Sequence, residues 1–284
     1  MLANYIALMK LRVVELLLVT TVPALFLASN GVPDLKITIA TLIGGTLAAG
    51  GANTLNMILE SESDKLMART ADRPVATGVI SKSRATWFAI ALVLLSLSTF
   101  AIFTTVLATL LTAFAVGFYV LGYTMMLKKN TSQNIVWGGI AGCMPVLIGQ
   151  AAVTNSLTLT SWLFFLLIFF WTPPHFWALA VRYKDDYKAA GIPMLPVVAP
   201  IKSVINQMWF HSLAMAVVSL LVIQSAQLPI WLSVITLLLI AGWKRQLIKL
   251  TRQPSEVNAG KLFQASIVFL SIYSFLLVIG VLLK

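Results

Sequence analysis

"ITIATLIGGTLAAGGANTLNMILESESDKLMARTADRP" occupies residues 37–74. Its first 23 residues carry no charge, and about 20 apolar residues suffice for a helix to cross the hydrocarbon of a bilayer. Glu60, Glu62, Asp64 and Asp72 then follow at once, interleaved with Lys65, Arg69 and Arg73. The whole chain has only 9 acidic residues. A membrane-crossing segment that ends in nearly half of them sets both the fold class and the place to look for chemistry.

The rest of the chain repeats the first half of that pattern. It is 59% hydrophobic and 10% charged, with a mean hydropathy of +0.93, whereas soluble domains carry roughly 25% charged residues. Breaks at charges, Pro and Gly divide it into nine apolar spans, at 13–29, 37–59, 85–104, 106–127, 135–153, 159–181, 204–226, 228–243 and 262–283. The expectation is an all-α, polytopic membrane protein, with nine transmembrane helices in one bundle and residues 1–284 forming a single domain. With the N-terminus placed in the cytoplasm, only Lys36 and Lys284 of the 20 basic residues fall outside. That asymmetry fits the positive-inside rule. The net charge of +11 is therefore read as membrane orientation, with no nucleic acid as partner. Cys143 is the single cysteine and excludes a disulfide framework. Lys10 and Arg12 precede the first span, read as a retained helix rather than a cleaved signal. No Arg/Ser-rich presequence precedes it, so a bacterial inner membrane is the expected location.

The acidic residues partition as sharply as the basic ones. Asp185 and Asp186 close the sixth span as Glu60–Asp64 close the second, which suggests an internal repeat around a shared site. At 100° per residue, taking Asn53 as zero, Asn56 falls at about −60°, Glu60 at about −20° and Asp64 at about +20°, while Glu62 lies opposite at about 180°. Glu60 and Asp64 are a like-charge pair that something must compensate. Taking His175 as zero, Arg182 and Asp186 fall at about −20° and +20°, and Asp185 at about −80°. Pro173 and Pro174 are expected to kink or break this span. Two carboxylate clusters flanked by Lys and Arg at one membrane face suit a Mg²⁺–diphosphate site over an apolar bundle. Solvated loop charges and a cation-transport site are the competing readings. The second conflicts with mid-span regions that lack Asp and Glu.

Three stretches extend this reading: "GGANTLNMILESESDKLMARTADRPVATGVIS" (50–81), "YTMMLKKNTSQNIVWGGIAGCMPVLIG" (123–149) and "WTPPHFWALAVRYKDDYKAAGIPMLPVV" (171–198). With these the chain resembles the UbiA-type intramembrane prenyltransferases, and among them the branch that farnesylates haem. The resemblance implies that farnesyl diphosphate, haem B and water give haem O and diphosphate, with haem B a substrate rather than a prosthetic group. A prenyltransferase acting on a quinone precursor is the alternative within the family. The resemblance puts the first motif on Asn56, Glu60 and Asp64 and the second on Asp185 and Asp186. Glu60, Asp64, Asp185 and Asp186 are the implied Mg²⁺ ligands. Lys65, Arg69, Lys128, Lys129 and Arg182 are candidate diphosphate partners. Tyr119, Tyr123, His175 and Tyr187 are candidates to meet prenyl chain or haem, and 190–198 could roof the site. Relatives carry Asp-Arg-Asp where this chain has Glu60-Ser61-Glu62, so a small Ser61 is expected to leave room for the longer Glu60. The lipid bilayer is the surrounding partner, and haem A synthase or oxidase assembly factors are the protein partners the resemblance suggests.

Overall fold

The computed structural model describes residues 1–284. In chain order its helices are α1 (Leu2–Met9), α2 (Leu11–Ser29), α3 (Leu35–Leu59), α4 (Ser61–Asp64), α5 (Lys82–Phe103), α6 (Val106–Gly117), a π-helix (Phe118–Leu127), α7 (Lys128–Asn130), α8 (Asn134–Thr154), α9 (Leu159–Arg182), α10 (Lys184–Ala189), α11 (Leu195–Val198), α12 (Ile201–Ser225), α13 (Trp231–Arg252) and α14 (Glu256–Leu282). Nine units are long and apolar enough to cross a membrane: α2, α3, α5, α6 continued to Asn130, α8, α9, α12, α13 and α14.

The spans begin where short polar side chains can take up free backbone N–H groups. Asp34 accepts from Ile37, Ser81 from Arg84, Thr105 from Ala108 and Ser255 from Asn258. Thr158 and Ser161 form a reciprocal capping box at the start of α9. The eighth span runs past its expected end at 243, to Arg252. Trp243, Leu247 and Leu250 are buried, which continues the helical period while Arg245, Lys249 and Arg252 stay exposed. The prolines do not break α9, which runs unbroken through Pro173 and Pro174. Packing explains this, since both prolines are buried and neighbouring helices support a helix whose own ladder is interrupted.

Small residues let the helices approach closely. A Cβ on Gly44 would stand 2.8 Å from the Phe100 ring, and one on Gly149 would stand 3.1 Å from Ala24. Ser96 locks α5 to α3 through a 2.6 Å hydrogen bond to the Gly44 carbonyl. On the other side, Trp177, Met208, Trp243 and Phe269 join α9, α12, α13 and α14 in one core. The alternation of the spans brings the ends of α3 and α9, the starts of α2 and α8, and Lys128 to one end of the bundle. Large apolar side chains such as Trp87, Leu94, Ile102, Phe114, Phe210 and Leu238 are exposed on its outside, as a lipid-facing surface requires.

If the N-terminal end faces the cytoplasm, membrane-impermeant thiol reagents added outside will label Ser156→Cys and spare Ala68→Cys. Both positions are exposed in connections at opposite ends. The reverse pattern inverts the orientation.

Candidate active site

At the polar end of the bundle, a cavity of about 130 Å³ is lined by Lys10, Asn56, Glu60, Asp64, Arg69, Arg73, Tyr119, Tyr123, Lys128, Phe176 and Tyr187, among others. Lys10, Arg73, Tyr119, Tyr123, Ile135 and Phe176 also line a second cavity, of about 320 Å³, that runs down among α2, α3, α6, α8 and α9. Its wall is mostly apolar or small, including Ala48, Gly138 and Gly142, with Phe100 and Ile148 deep in the bundle. Those six residues form the neck between a charged chamber and an oily one.

The charged chamber is built by the end of α3. The span stops at Leu59, Glu60 caps it and α4 restarts at Ser61. Asn56, Glu60 and Asp64 are all buried, at 2%, 4% and 0% exposure. Glu62 is exposed and pairs with Lys65 and Lys82, so the facing expected from the helical projection holds here. Low-dielectric surroundings make lone charges costly, and each buried carboxylate has a cation. Lys128 forms an ion pair with Glu60. Arg73 returns from the connection after α4 and donates to both oxygens of Asp64, at 2.8 and 2.7 Å. Burial pushes the Glu60 carboxyl up. Lys128 first, then Lys10 and Asn56, more than offset this and hold it below the usual carboxylate range. The stability from that pair is therefore present above the ordinary carboxylate pKa and lost as pH falls through the lowered one.

Lys128 arrives through an unusual helix. In an α-helix, nine residues of separation place Lys128 about 180° from Tyr119. With i→i+5 bonding, at roughly 4.4 residues per turn, the same separation returns to within about 20°. The π-helix of Phe118–Leu127 thus puts Tyr119, Tyr123 and Lys128 along one face. Thr124 stabilises it by bonding the Tyr119 carbonyl at 2.9 Å. Its hydroxyl also accepts from the Asn56 amide at 3.1 Å. The two tyrosine rings lie 5.7 Å apart, and Gly138 leaves the space that Tyr123 fills. Asn134 donates to the Lys128 carbonyl at 3.0 Å.

Several expected residues stand elsewhere. Lys65 is exposed, and Lys129 is exposed without an ion-pair partner. Arg182 is exposed and lies over Tyr183, its guanidinium near Gly260. Arg69 lines the cavity and also reaches Tyr183. His175 and Arg182 share the side of α9 that meets α14, as projected, but Asp186 does not continue that face, because α9 ends at Arg182 and the Tyr183 backbone leaves the helical region before α10 begins. His175 is buried between Trp171 and Phe263 and bonds Ser266. Its neighbour Phe176 lines the cavity instead. Asp185 is exposed, Asp186 is partly so, and neither lines the cavity. Ser61 is buried, 1% exposed, outside the cavity lining and with an unpartnered hydroxyl. Tyr187 does face the cavity, and with Ile192 and Met194 it packs on Met67 and Ile135, so the 184–198 connection roofs the chamber. Burial, offset in part by Arg69, pushes the Tyr187 hydroxyl up.

Lys10 and Arg73 belong to the lining, although neither was among the expected site residues. Burial, then Arg73, push the Lys10 ammonium down to about 7. Two buried carboxylates and a carboxamide offer hard oxygen donors, and no three Asp, Glu, His or Cys side chains converge. This set fits Mg²⁺, which takes one or two carboxylates and completes its shell with phosphate oxygens and water.

A family model described as the UbiA prenyltransferase family matches residues 17–276. The chain is 46% identical over 276 residues to the protoheme IX farnesyltransferase of Streptomyces avermitilis, covering 94% of this chain and 90% of that one. It is 43% identical over 273 residues to the protoheme IX farnesyltransferase of Frankia alni, covering 94% of each. Among solved structures, a digeranylgeranylglyceryl phosphate synthase superposes with a TM-score of 0.80 at 18% identity, covering 100% of this chain and 99% of that one. A UbiA homologue from Archaeoglobus fulgidus bound to DMAPP and Mg²⁺ superposes with a TM-score of 0.73 at 18% identity, covering 97% and 99%. These two likenesses concern the fold.

Asp64→Asn removes the charge that Arg73 meets and costs on the order of 3 kcal/mol of stability. Its turnover is expected to fall at least about 100-fold, with the protein still inserted. Glu62→Gln, on the exposed side, should stay within about threefold of wild type. Membrane assays of the two variants check this, and equal losses contradict the assignment of inner and outer faces.

Proposed function

The chain belongs to the UbiA prenyltransferase family, and from that premise we propose that it transfers the farnesyl group of farnesyl diphosphate to a vinyl group of haem B, with addition of water, giving haem O and diphosphate. It is an integral membrane prenyltransferase. The observation that carries the reading is the neck: one set of residues joins a chamber of buried charges to an apolar cavity of about 320 Å³. An allylic diphosphate has those same two ends. The likeness to protoheme IX farnesyltransferases over nearly the whole chain supports haem B as the acceptor.

In this reading Glu60 and Asp64 would hold Mg²⁺, and Asp185 and Asp186, which stand outside the cavity lining, would form the second carboxylate pair. Mg²⁺ when bound neutralises diphosphate oxygens and improves the leaving group. Asn56 is fixed by hydrogen bonds to Lys10 and Thr124 and orients the first cluster. Lys128, Arg73 and Arg69 draw the charge that develops on the departing diphosphate. The C1–O bond breaks and the diphosphate keeps the electron pair. The faces of Tyr119 and Tyr123 at the neck stabilise the allylic cation, and the roof around Tyr187 keeps water from it. The vinyl π electrons form the new C–C bond. Water then adds to the adjacent carbon and loses a proton. The basic residues clustered at the charged end support a cytoplasmic-facing site in a bacterial inner membrane. Haem–copper oxidases, or a haem A synthase upstream of them, are the users of the product in this account.

Purified chain in nanodiscs, given farnesyl diphosphate, haem B and Mg²⁺, is expected to form haem O, resolved by chromatography and mass spectrometry, and to stop when the metal is chelated. Prenylation of a quinone precursor with haem B left unchanged overturns the acceptor assignment.

A further inference from the structure

We propose that Thr124 is a positioning residue for the transfer: its hydroxyl locks Phe118–Leu127 in the π register, and that register delivers Lys128 into the charged chamber. This rests on the reading of the chamber as a prenyl diphosphate site. Thr124 is buried, 5% exposed, and lines neither cavity, so it acts through its neighbours.

Other helical threonines make the contrast. Thr54 donates to the Gly50 carbonyl, Thr112 to that of Ala108 and Thr172 to that of Ile168, each four residues back, the usual reach within an α-helix. Thr124 reaches five residues back, to Tyr119, at 2.9 Å. That bond belongs to the π register, since α geometry would offer the Val120 carbonyl instead. A hydroxyl has one proton, and Tyr119 takes it. A lone pair is left for the Asn56 amide, which donates at 3.1 Å. Asn56 is buried near the end of α3. One hydroxyl therefore fixes the turn of its own helix and ties that turn to the neighbouring span.

The tie is needed because π bonding seldom extends beyond a single turn, and this π-helix runs for 10 residues. Gly138 leaves space for the Tyr123 ring but supplies no side-chain bond, so it permits the register without selecting it. Asn134 holds the backbone further on, at the Lys128 carbonyl. Between these, Thr124 selects. Were the segment to relax fully to α geometry, Lys128 would swing about 180° from the face it shares with Tyr119. Glu60 would then lose its cation, and the chamber would lose a partner for an anion.

The test uses full-length chain in nanodiscs. Calorimetry measures its affinity for inorganic pyrophosphate in excess Mg²⁺, and thermal unfolding without ligand gives an apparent Tm. Thr124→Val keeps the shape and removes the hydroxyl. Its pyrophosphate affinity should fall about tenfold or more, whereas Thr124→Ser should stay within about threefold of wild type. Thr99→Val, which removes an ordinary bond four residues back, should leave the affinity unchanged. A double-mutant cycle reads the route through Lys128. With Lys128→Met already present, Thr124→Val should cost less than about threefold in affinity, and its drop in Tm should shrink. Thr124→Ala gives the same reading should the valine variant fail to accumulate. Wild-type affinity in Thr124→Val, an equal loss in Thr124→Ser, or losses that multiply undiminished in the Lys128→Met background overturn the proposal. The Tm cycle needs no ligand. Coupling of Thr124 to Lys128 in a protein that binds no pyrophosphate would uphold the positioning of Lys128 and sink the diphosphate reading alone.

Discussion

Two carboxylates buried at the mouth of an apolar bundle can exist only if something meets their charge. Glu60 meets Lys128, and Asp64 meets Arg73. Breaking a buried pair by removing one partner typically costs about 3–5 kcal/mol, so the elements that deliver the four side chains are held in register by them. The stop of α3 at Leu59, the short α4, the return of the chain to Arg73 and the π-helix before Lys128 all converge on this one constraint.

The same pairs define what the chamber can bind. A cation taken by Glu60 and Asp64 releases Lys128 and Arg73, and an anion taken by Lys128 and Arg73 releases the carboxylates. Either ligand alone leaves buried charges without partners, which is costly. Both together leave none. A magnesium diphosphate satisfies every group in the chamber at once, and the apolar cavity below the neck receives the chain attached to it.

The span architecture was legible in the sequence because charge is so scarce in it. Gaps between charges located nine spans, and the 100° projection correctly separated buried Asn56, Glu60 and Asp64 from exposed Glu62. The projection failed where the helix departed from α geometry. It could not align Lys128 with Tyr119, because nothing in Phe118–Leu127 announces a π-helix. It ran α9 straight through Tyr183, where backbone angles of −113° and 35° turn the chain, and so placed His175 and Asp186 together. Lys10 and Arg73 were visible as charges but not as site residues, for another reason. They reach the site through a left-handed break and a turn-rich loop, and no periodicity describes either.

If the ion pairs exchange in this way, binding of the two ligands must be linked. Calorimetric titration of wild-type protein with pyrophosphate at a series of Mg²⁺ concentrations, corrected for the complex the two form in solution, measures that coupling. Mg²⁺ is expected to raise pyrophosphate affinity by about tenfold or more, and pyrophosphate to raise Mg²⁺ affinity by the same factor. Independent binding, each ligand as tight alone as with the other, would contradict it.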